Sequence, residues 1–396
     1  MNPSFWHRRN RRPDVFCDVA IVGAGIVGSS SAFWISRLGP MKMIVLVDQG
    51  MIASGASGRN AGFLLQGATS DYVKDRELLG TERAARVLKF TRENRDLLFS
   101  ELDPASFDLE STGSMVVAGS PEEDLRLQNC VPLLRSDGIA AMYFPPDMTA
   151  QRIRASAFYG SLYVPSGATL DPVALVRHLA HRSAATILEN ARVRTIEMKA
   201  GAVHIEVQDR LIIADRVIVC INAWLSTLVP ELSIYVRPVR AQMLATSPMA
   251  RRWLDVPIYS HDGYFYLRQT REGVLLAGGA RHLHEKDEEG FEEAVSDAVQ
   301  RDIERYLLGY FPLTQDMHVA QRWSGTMGFS PDQLPVVGEL PGIPGSYWAG
   351  GFTGHGMAYG FRFGKMLAEA VLNGTNLEGF DLFSASRFGL RKAAGS

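Results

Sequence analysis

The strongest constraint on the fold is a glycine pattern, Gly23-Ala-Gly-Ile-Val-Gly28, placed between a strand and a helix. The segment before it, Asp18–Val22, is uncharged after its first residue and predicts a short buried strand. The segment after it predicts a helix over Ile26–Leu38, and Lys42–Val47 predicts a second strand. Glycines at this spacing allow a tight turn, close approach of the backbone to a pyrophosphate, and packing of the helix on the strand. The chain therefore begins with a βαβ unit that is typical of dinucleotide-binding folds.

An acidic residue and a loop of small polar residues follow the second strand. Asp48 lies at the end of that strand, where a carboxylate can accept hydrogen bonds from a ribose. The candidate nucleotide contacts of this unit are Gly23, Gly25, Ile26, Val27, Gly28, Asp48 and Gln49. The loop that follows can lie close against a cofactor, although composition alone also suits a flexible loop. Its candidate contacts are Ser54, Ser57, Arg59, Asn60, Ala61 and Gly62.

A second glycine-rich turn, Gly350–Gly356, precedes a predicted helix over Met357–Leu372. Its glycines permit positive φ and close backbone approach to a flat ligand, and the positive end of the helix would stabilise a reduced flavin. The candidate contacts around this turn are Met327, Gly350, Gly351, Phe352, Thr353, Gly354, His355, Gly356 and Met357. Glycine turns at both ends of the chain indicate one long cofactor, FAD. An ordinary glycine-rich connection is the alternative for the second turn.

The middle of the chain predicts further parts of the nucleotide-binding sheet. A helix is expected over Val173–Ala185, strands over 191–196 and 203–207, and a strand pair over 211–221. The candidate cofactor contacts in this stretch are Val193, Asn222, Ala223 and Trp224. The nucleotide-binding domain is therefore expected to be discontinuous in sequence.

Composition excludes several other classes of protein. The 41 basic and 43 acidic residues give a net charge of −2, which argues against a protein that binds nucleic acid or an anionic membrane surface. No signal peptide or integral membrane segment is predicted. The three cysteines are scattered, which favours a cytoplasmic location. His282 and His284 have a spacing that suits a metal, but no acidic or cysteine pattern accompanies them, so no metal site is expected.

Together these segments resemble the D-amino-acid-oxidase superfamily of FAD-dependent amine and amino-acid oxidoreductases, which includes glycine and sarcosine oxidases. The resemblance covers nearly the whole chain. The matching segments are Val22–Gly28, Asp48, Ser54–Gly62, Thr169–Pro172, Ile221–Trp224 and Gly350–Gly356. Within the superfamily, Ser4–Trp6, Gly58–Gly62 and Trp323–Asp332 are most similar to the gamma-glutamylputrescine oxidoreductase-like branch.

The resemblance implies an α/β fold with two domains. A Rossmann-type FAD-binding domain is expected at 14–89, 156–235 and 321–390. An inserted α+β substrate domain with a mixed, largely antiparallel sheet is expected at 90–155 and 236–320, after an N-terminal arm at 1–13. A hairpin, Tyr264–Arg268 with Val274–Gly279, is expected to floor the substrate pocket, although alternating aromatic residues also suit a packed strand. The candidate pocket residues are Phe63, Tyr264, Tyr266, Arg268, Arg281 and Phe352.

Several departures from the family pattern refine these expectations. Relatives with covalent flavin use a histidine or a cysteine where this chain has Arg59-Asn60 and Ser324–Met327, so the FAD is expected to be non-covalent. Three basic residues that hold the carboxylate of small amino acids are replaced, by Leu65 or Gln66, Met327 and Ala358. A longer amine, or an acid held by Arg268 or Arg281, is therefore expected instead of glycine, sarcosine or D-alanine. A lysine that activates oxygen in some relatives falls near Leu276, which leaves oxidase or dehydrogenase behaviour open.

The resemblance implies hydride transfer from the carbon beside a neutral amine to flavin N5, followed by hydrolysis of the imine. His355 is the best catalytic candidate, with a packing or hydrogen-bonding histidine as the alternative. The expected partners are a small amine or amino acid and either oxygen or another electron acceptor; the oligomeric state is not predicted. A nicotinamide-dependent Rossmann dehydrogenase and a flavin-binding protein without catalysis are the competing functions. Glu285–Glu293 is expected to be the solvated start of a helix.

Overall fold

A computed structural model describes residues 12–67, 71–155, 157–208, 210–374 and 379–389. The strands are β1 (Val15–Val22), β2 (Ile44–Val47), β3 (Phe63–Leu64), β4 (Ser114–Val117), β5 (Met142–Phe144), β6 (Ser161–Val164), β7 (Ala168–Thr169), β8 (Thr186–Leu188), β9 (Val193–Lys199), β10 (Ala202–Val207), β11 (Arg210–Val219), β12 (Arg237–Thr246), β13 (Ile258–Ser260), β14 (Phe265–Gln269), β15 (Leu275–Gly279), β16 (Val319–Phe329), β17 (Val336–Glu339) and β18 (Tyr347–Gly350). The helices are α1 (Ile26–Leu38), α2 (Tyr72–Leu79), α3 (Thr81–Glu101), α4 (Pro121–Ser136), α5 (Pro146–Ile153), α6 (Pro172–Arg182), α7 (Leu225–Leu228), α8 (Asp297–Tyr310), α9 (Gly356–Asn373) and α10 (Phe380–Phe383).

The first sheet is built around β1 and has the order β17-β18-β11-β1-β2-β8. The neighbours from β18 to β8 pair in parallel, whereas β9 and β10 extend β11 in antiparallel fashion. Alternate residues of β1 are buried in two different cores: Ile21 packs beneath α1, α6 and α9, and Ala20 packs against β9 to β11. Burial of both faces explains why this strand is almost wholly apolar.

The two glycine turns come together because α1 and α9 follow strands of the same parallel sheet. Both helices begin at the carboxyl edge of that sheet, and they pack on each other near their first turns. The packing is close: a Cβ on Gly360 of α9 would lie 2.6 Å from the Ile26 side chain, and the Ser30 hydroxyl donates to the Phe361 carbonyl at 2.7 Å. Cofactor-binding segments that are far apart in sequence therefore meet at one edge.

The second sheet has the order β16-β12-β15-β14-β13-β4-β6-β5 and is antiparallel except between β4 and β13. One face packs against α8 through residues such as Ile303 and Leu267. The other face carries Met243, Tyr259 and Tyr266, which pack with Phe63 of β3, a strand that pairs with β7 in a separate two-stranded sheet. The predicted hairpin is present as β14 and β15, with Tyr266 opposite Gly278.

The predicted α/β architecture is confirmed, with differences in particular elements. The helix predicted over Ile26–Leu38 has those bounds, but residues 211–221 contribute one strand, β11, and not a pair. Glu285–Glu293 is not the solvated start of a helix: α8 begins at Asp297, and Glu288 is fully buried because it binds Arg240.

The domain boundaries stay a prediction, but two strands fall outside the expected ranges. Strands β6 and β16 belong to the second sheet, although 156–235 and 321–390 are the ranges expected for the FAD-binding domain. Of the predicted N-terminal arm, residues 1–11, including Ser4–Trp6, lie outside the described residues. Within the described ranges, none of the helices combines the length and the apolar character that crossing a bilayer requires.

Candidate cofactor and substrate site

The carboxyl edge of the first sheet and the aromatic face of the second enclose a cavity of about 930 Å³. The predicted cofactor contacts that line it are Gly23, Gly25, Ile26, Val27, Asp48, Gln49, Ser54, Ser57, Arg59, Asn60, Ala61, Val193, Asn222, Ala223, Trp224, Met327, Phe352, Thr353, Gly354, His355, Gly356 and Met357. The predicted pocket residues that line it are Phe63, Tyr264, Tyr266, Arg281 and Phe352. The predicted residues that lie outside its lining are Gly28, Gly62, Gly350, Gly351 and Arg268.

The N-terminal glycine turn leaves room for a ligand beside the first turn of α1. Gly23 has a φ of +105°, and a Cβ there would lie 2.6 Å from the Cys220 carbonyl oxygen. A Cβ on Gly25 would lie 2.9 Å from the Ser57 hydroxyl oxygen. The N-cap residue of α1 is Gly25, the first turn has no acidic residue, and the Ser57 hydroxyl accepts from the Ile26 N–H at 2.9 Å. The positive end of the helix therefore meets the cavity, as a pyrophosphate requires.

Asp48 fixes the backbone around this turn. One carboxylate oxygen accepts from the Ala24 N–H at 2.7 Å, and the other accepts from the Gly50 N–H at 2.8 Å. Burial raises the pKa of Asp48. Because each carboxylate oxygen has a second lone pair, Asp48 can still accept a hydrogen bond from a ribose hydroxyl.

The loop after Asp48 is held by several side chains. Arg59 donates to the Ser54 carbonyl and to the Ser324 carbonyl, both at 2.8 Å, and pairs with Glu293 at 3.2 Å. The Trp323 indole N–H donates to the Arg59 carbonyl at 2.9 Å. These contacts attach the loop to β16, so the loop joins the two sheets at the cavity.

The C-terminal glycine turn is shaped by contacts with neighbouring segments. Gly351 has a φ of +70°, and its N–H donates to the Asn222 side-chain oxygen at 3.0 Å. The Thr353 N–H donates to the Gly328 carbonyl at 2.8 Å. Helix α9 starts without a capping side chain and without an acidic residue in its first turn. A second positive helix end therefore meets the same cavity.

Three predicted glycine contacts pack against protein atoms instead of facing the cavity. A Cβ on Gly28 would lie 1.9 Å from the Gly23 carbonyl oxygen, and one on Gly62 would lie 2.2 Å from the Leu170 carbonyl oxygen. A Cβ on Gly350 would lie 2.4 Å from the Leu225 side chain. At these positions glycine permits close packing of the elements that form the cavity.

His355 lines the cavity and is half-buried. Its Nδ1 lies 2.9 Å from the Thr353 carbonyl oxygen, which can only accept, so Nδ1 carries the hydrogen. Burial lowers the pKa of His355, which favours the neutral ring with Nε2 as a hydrogen-bond acceptor. The structure therefore gives His355 both a hydrogen-bonding role and a place at the site.

The second sheet contributes an aromatic wall to the cavity. The rings of Phe63 and Tyr259 have centroids 5.2 Å apart in an edge-to-face arrangement, and Tyr259 and Tyr266 have centroids 5.9 Å apart. Burial raises the pKa of Tyr266 to about 12, so its phenol is neutral. Arg268 lies two residues after Tyr266 on β14. It is buried outside the cavity lining, with its Nη1 3.5 Å from the Gly62 carbonyl oxygen.

Comparison with known proteins decides the family. The family model described as "DAO: FAD dependent oxidoreductase" matches residues 18–370. The chain belongs to the DAO family of FAD-dependent oxidoreductases. It is 27% identical to "Probable oxidoreductase OrdL" of Rhizobium meliloti over 90% of this chain and 83% of that protein. It is 26% identical to gamma-glutamylputrescine oxidoreductase of Escherichia coli over 93% of this chain and 86% of that protein.

A solved structure supports the same fold for this DAO-family chain. Glycine oxidase from Geobacillus kaustophilus matches with a TM-score of 0.81 at 22% sequence identity, covering 94% of this chain and 99% of that chain. The predicted family and fold are thereby confirmed. The nicotinamide-dependent alternative explains only the N-terminal turn and is set aside.

The residues of this DAO-family site fit FAD. The first turn of α1, where Gly25, Ile26 and Val27 line the cavity, suits a pyrophosphate at one end, and the uncapped start of α9 suits a flavin at the other. Thr326 lines the cavity between them, and its buried hydroxyl has no hydrogen-bond partner among the residues described. Such a hydroxyl requires a polar partner, which a bound cofactor can provide.

Sequence patterns did not identify several lining residues. They are Arg192, Arg194, Met243, Tyr259, Asp262, Glu293, Thr326 and Phe329. Arg192 directly precedes β9 and Arg194 is its second residue, so the available signal was that both flank the predicted contact Val193. Glu293 lies in an irregular segment before α8 and had no such signal.

Proposed function

We propose that this DAO-family enzyme oxidises the C–N bond of an amine or amino acid with a substituent larger than those of glycine, sarcosine or D-alanine. The observation that carries this proposal is the apolar lining where the resemblance expects basic side chains. Leu65, Met327 and Ala358 all line the cavity, together with the aromatic wall. Each charge-assisted hydrogen bond lost from a substrate carboxylate costs about 1.5–3 kcal/mol. An apolar substituent offsets that loss by burying surface.

Non-covalent FAD is part of the proposal. The N-terminal turn and Asp48 would hold the nucleotide, and the C-terminal turn would hold the flavin, which when bound accepts hydride from the carbon beside the amine nitrogen. Arg59 and Asn60 stand where covalent relatives have an attachment residue. Cys17 and Cys130 are buried in cores, and Cys220 lies beside Gly23 at the nucleotide end.

The side chains of this enzyme prepare the amine for that step. Amines lose hydride as neutral molecules, and burial against Phe63, Tyr259 and Tyr266 disfavours the charged ammonium form. The neutral His355 ring offers Nε2 as the acceptor for a hydrogen bond from the amine. The same aromatic wall excludes water from the reacting carbon.

An anaerobic screen that follows flavin bleaching near ~450 nm tests the proposed chemistry. We expect fast bleaching with larger amines, slow or no bleaching with glycine, sarcosine and D-alanine, and rates that rise with pH as the amine becomes neutral. Fast reduction by sarcosine or D-alanine contradicts the proposed substrate class. Acid precipitation should release all of the yellow colour, and colour retained in the pellet contradicts non-covalent binding.

We also place the enzyme in the cytoplasm, because its three cysteines are free thiols, as in a reducing compartment. Oxygen and other electron acceptors remain alternatives. Admission of air after anaerobic reduction distinguishes them, because an oxidase regains its colour quickly and a dehydrogenase requires an added acceptor.

A further inference from the structure

Arg281 is a cation in the cavity wall, contributed by the second sheet. It directly follows β15, where Gly279 and Ala280 both have positive φ and turn the chain. Its guanidinium carbon lies 4.8 Å from the centroid of the Phe329 ring and 5.8 Å from that of Tyr264. The residues of this group that line the cavity are Tyr264, Gly279, Arg281 and Phe329. Arg281 is therefore held on aromatic rings at the site.

Two acidic side chains of the lining pair with basic side chains. Glu293 pairs with Arg59 at 3.2 Å, and Asp262 pairs with Lys74 at 2.7 Å. No carboxylate among the residues described forms an ion pair with Arg281, in contrast to these groups. A guanidinium that stacks on rings through its face keeps its N–H edge for a planar anion.

Arg281 is separated from the flavin-facing turn by one aromatic residue. Phe329, whose ring contacts the guanidinium, forms a backbone bridge with Phe352 in that turn. We therefore expect a substrate whose amine lies at the turn to extend along Phe329 in order to contact Arg281. This arrangement differs from an anchor for the carboxylate of a small α-amino acid, which lies beside the reacting carbon.

We propose that Arg281 binds a carboxylate at the far end of the substrate substituent, remote from the amine that is oxidised. The inference rests on the proposed function and adds the substrate class: amines whose extended substituent ends in an anion. The apolar stem would lie along Phe329 and Tyr264, and the carboxylate would accept two parallel N–H bonds from the guanidinium.

Matched pairs of amines test this inference in the holoenzyme. Anaerobic flavin reduction is measured with pentylamine and hexylamine, and with 5-aminopentanoate and 6-aminohexanoate. We expect the wild type to bind the amino acids more tightly. Arg281→Gln should weaken their apparent Kd by about 10- to 100-fold, and that of the alkylamines by much less. Arg281→Lys should retain part of the preference for the amino acids, because lysine keeps the positive charge but cannot donate two parallel N–H bonds to a carboxylate.

Arg237→Gln is the control, since the Arg237 guanidinium carbon also lies near this ring, 5.9 Å from the Phe329 centroid, but Arg237 does not line the cavity. Equal effects of the Arg281 and Arg237 substitutions would overturn the inference. Reduction by alkylamines with no preference for the amino acids would overturn it as well, while leaving the proposed function intact. Rapid reduction by sarcosine or D-alanine that depends on Arg281 would overturn both.

A binding measurement decides the inference even if none of these amines is oxidised. Hexanoate and hexanol are titrated into the oxidised holoenzyme, and the change in the flavin absorption spectrum gives a Kd. The Kd of hexanoate should be lower for the wild type than for Arg281→Gln by about 10-fold or more. The Kd of hexanol should be the same for the two proteins. Equal hexanoate binding by both proteins would overturn the inference.

Discussion

Gly25 and Gly28 belong to one sequence pattern, but they lie against different parts of the structure. Gly28 allows α1 to pack on the strand, because a Cβ there would lie 1.9 Å from a backbone oxygen. Gly25 lines the cavity, and a Cβ there would lie 2.9 Å from the Ser57 hydroxyl, which accepts from the Ile26 N–H. A side chain at position 28 therefore disturbs the packing of the helix, whereas one at position 25 displaces the Ser57 hydroxyl at the wall of the cavity.

At residue scale, Gly25→Val should produce a folded protein that does not retain FAD. The valine side chain would displace the Ser57 hydroxyl beside the first turn of α1, where we propose that the pyrophosphate binds. The ratio of absorbance near ~450 nm to that at ~280 nm in purified protein measures retention. Gly309→Ala in α8 is the control, because nothing lies within 4 Å of a Cβ there. A Gly25→Val protein that purifies with full flavin would show that this turn has only a structural role.

At element scale, the irregular segment that leads from β15 to α8 is held by one buried ion pair. Arg240 of β12 donates to both carboxylate oxygens of Glu288, at 3.0 and 2.8 Å. Gln242 also donates to Glu288, at 3.0 Å. The segment carries Glu293, which pairs with Arg59 at the cavity. The ion pair thus positions a part of the cavity wall.

Glu288→Ala should lower the free energy of unfolding by about 3–5 kcal/mol, because it leaves Arg240 buried without its partner. The neighbouring substitution Glu289→Ala is the matched control, since Glu289 is exposed and lies 3.8 Å from an exposed Arg237. We expect that control to change stability by less than ~1 kcal/mol. Urea denaturation of the two holoproteins measures the difference, and equal midpoints would contradict the assigned role of the pair.

The sequence predicted those helices and strands that depend on residues close together in the chain. The helix Ile26–Leu38 follows from its glycine start and apolar pattern, and its observed bounds are the predicted ones. Glu288 could not be predicted to be buried, because its partner Arg240 is 48 residues away in sequence. Alternation placed Arg268 on the same strand face as Tyr266. Strand β14 continues beyond the cavity, however, so Arg268 lies beneath Gly62 and not in the lining.

At the scale of the whole molecule, the site exists only where the two sheets meet. The first sheet supplies two positive helix ends, and the second supplies the aromatic wall and Arg281. Contacts of Arg59 with Ser324, and the backbone bridge between Phe329 and Phe352, connect the two parts at the cavity. Loss of cofactor is therefore expected to weaken the contact between the sheets as well as the chemistry.

Stability of the whole protein should fall on acidification, because burial lowers the pKa of several histidines. The affected side chains are His178, His261, His282 and His355. Each contributes stability above its unfolded pKa of about 6.5, and that contribution is lost as the pH falls through the lower folded pKa. Each additional proton bound by the unfolded state changes the free energy of unfolding by about 1.4 kcal/mol per pH unit.

Asp48 and Glu123 have the opposite effect on stability, because burial raises their pKa in the folded state. As the pH falls, the folded state therefore binds these protons at a higher pH than the unfolded state does, which favours folding. Tm should therefore fall most steeply just below pH 6.5 and less steeply at lower pH. Thermal unfolding with saturating FAD between pH 8 and pH 5 measures this profile. His178→Gln should reduce the slope, whereas the same substitution at exposed His318 serves as the control. A Tm that stays constant from pH 7 to pH 5 would show that burial of neutral histidines does not govern the acid sensitivity of this fold.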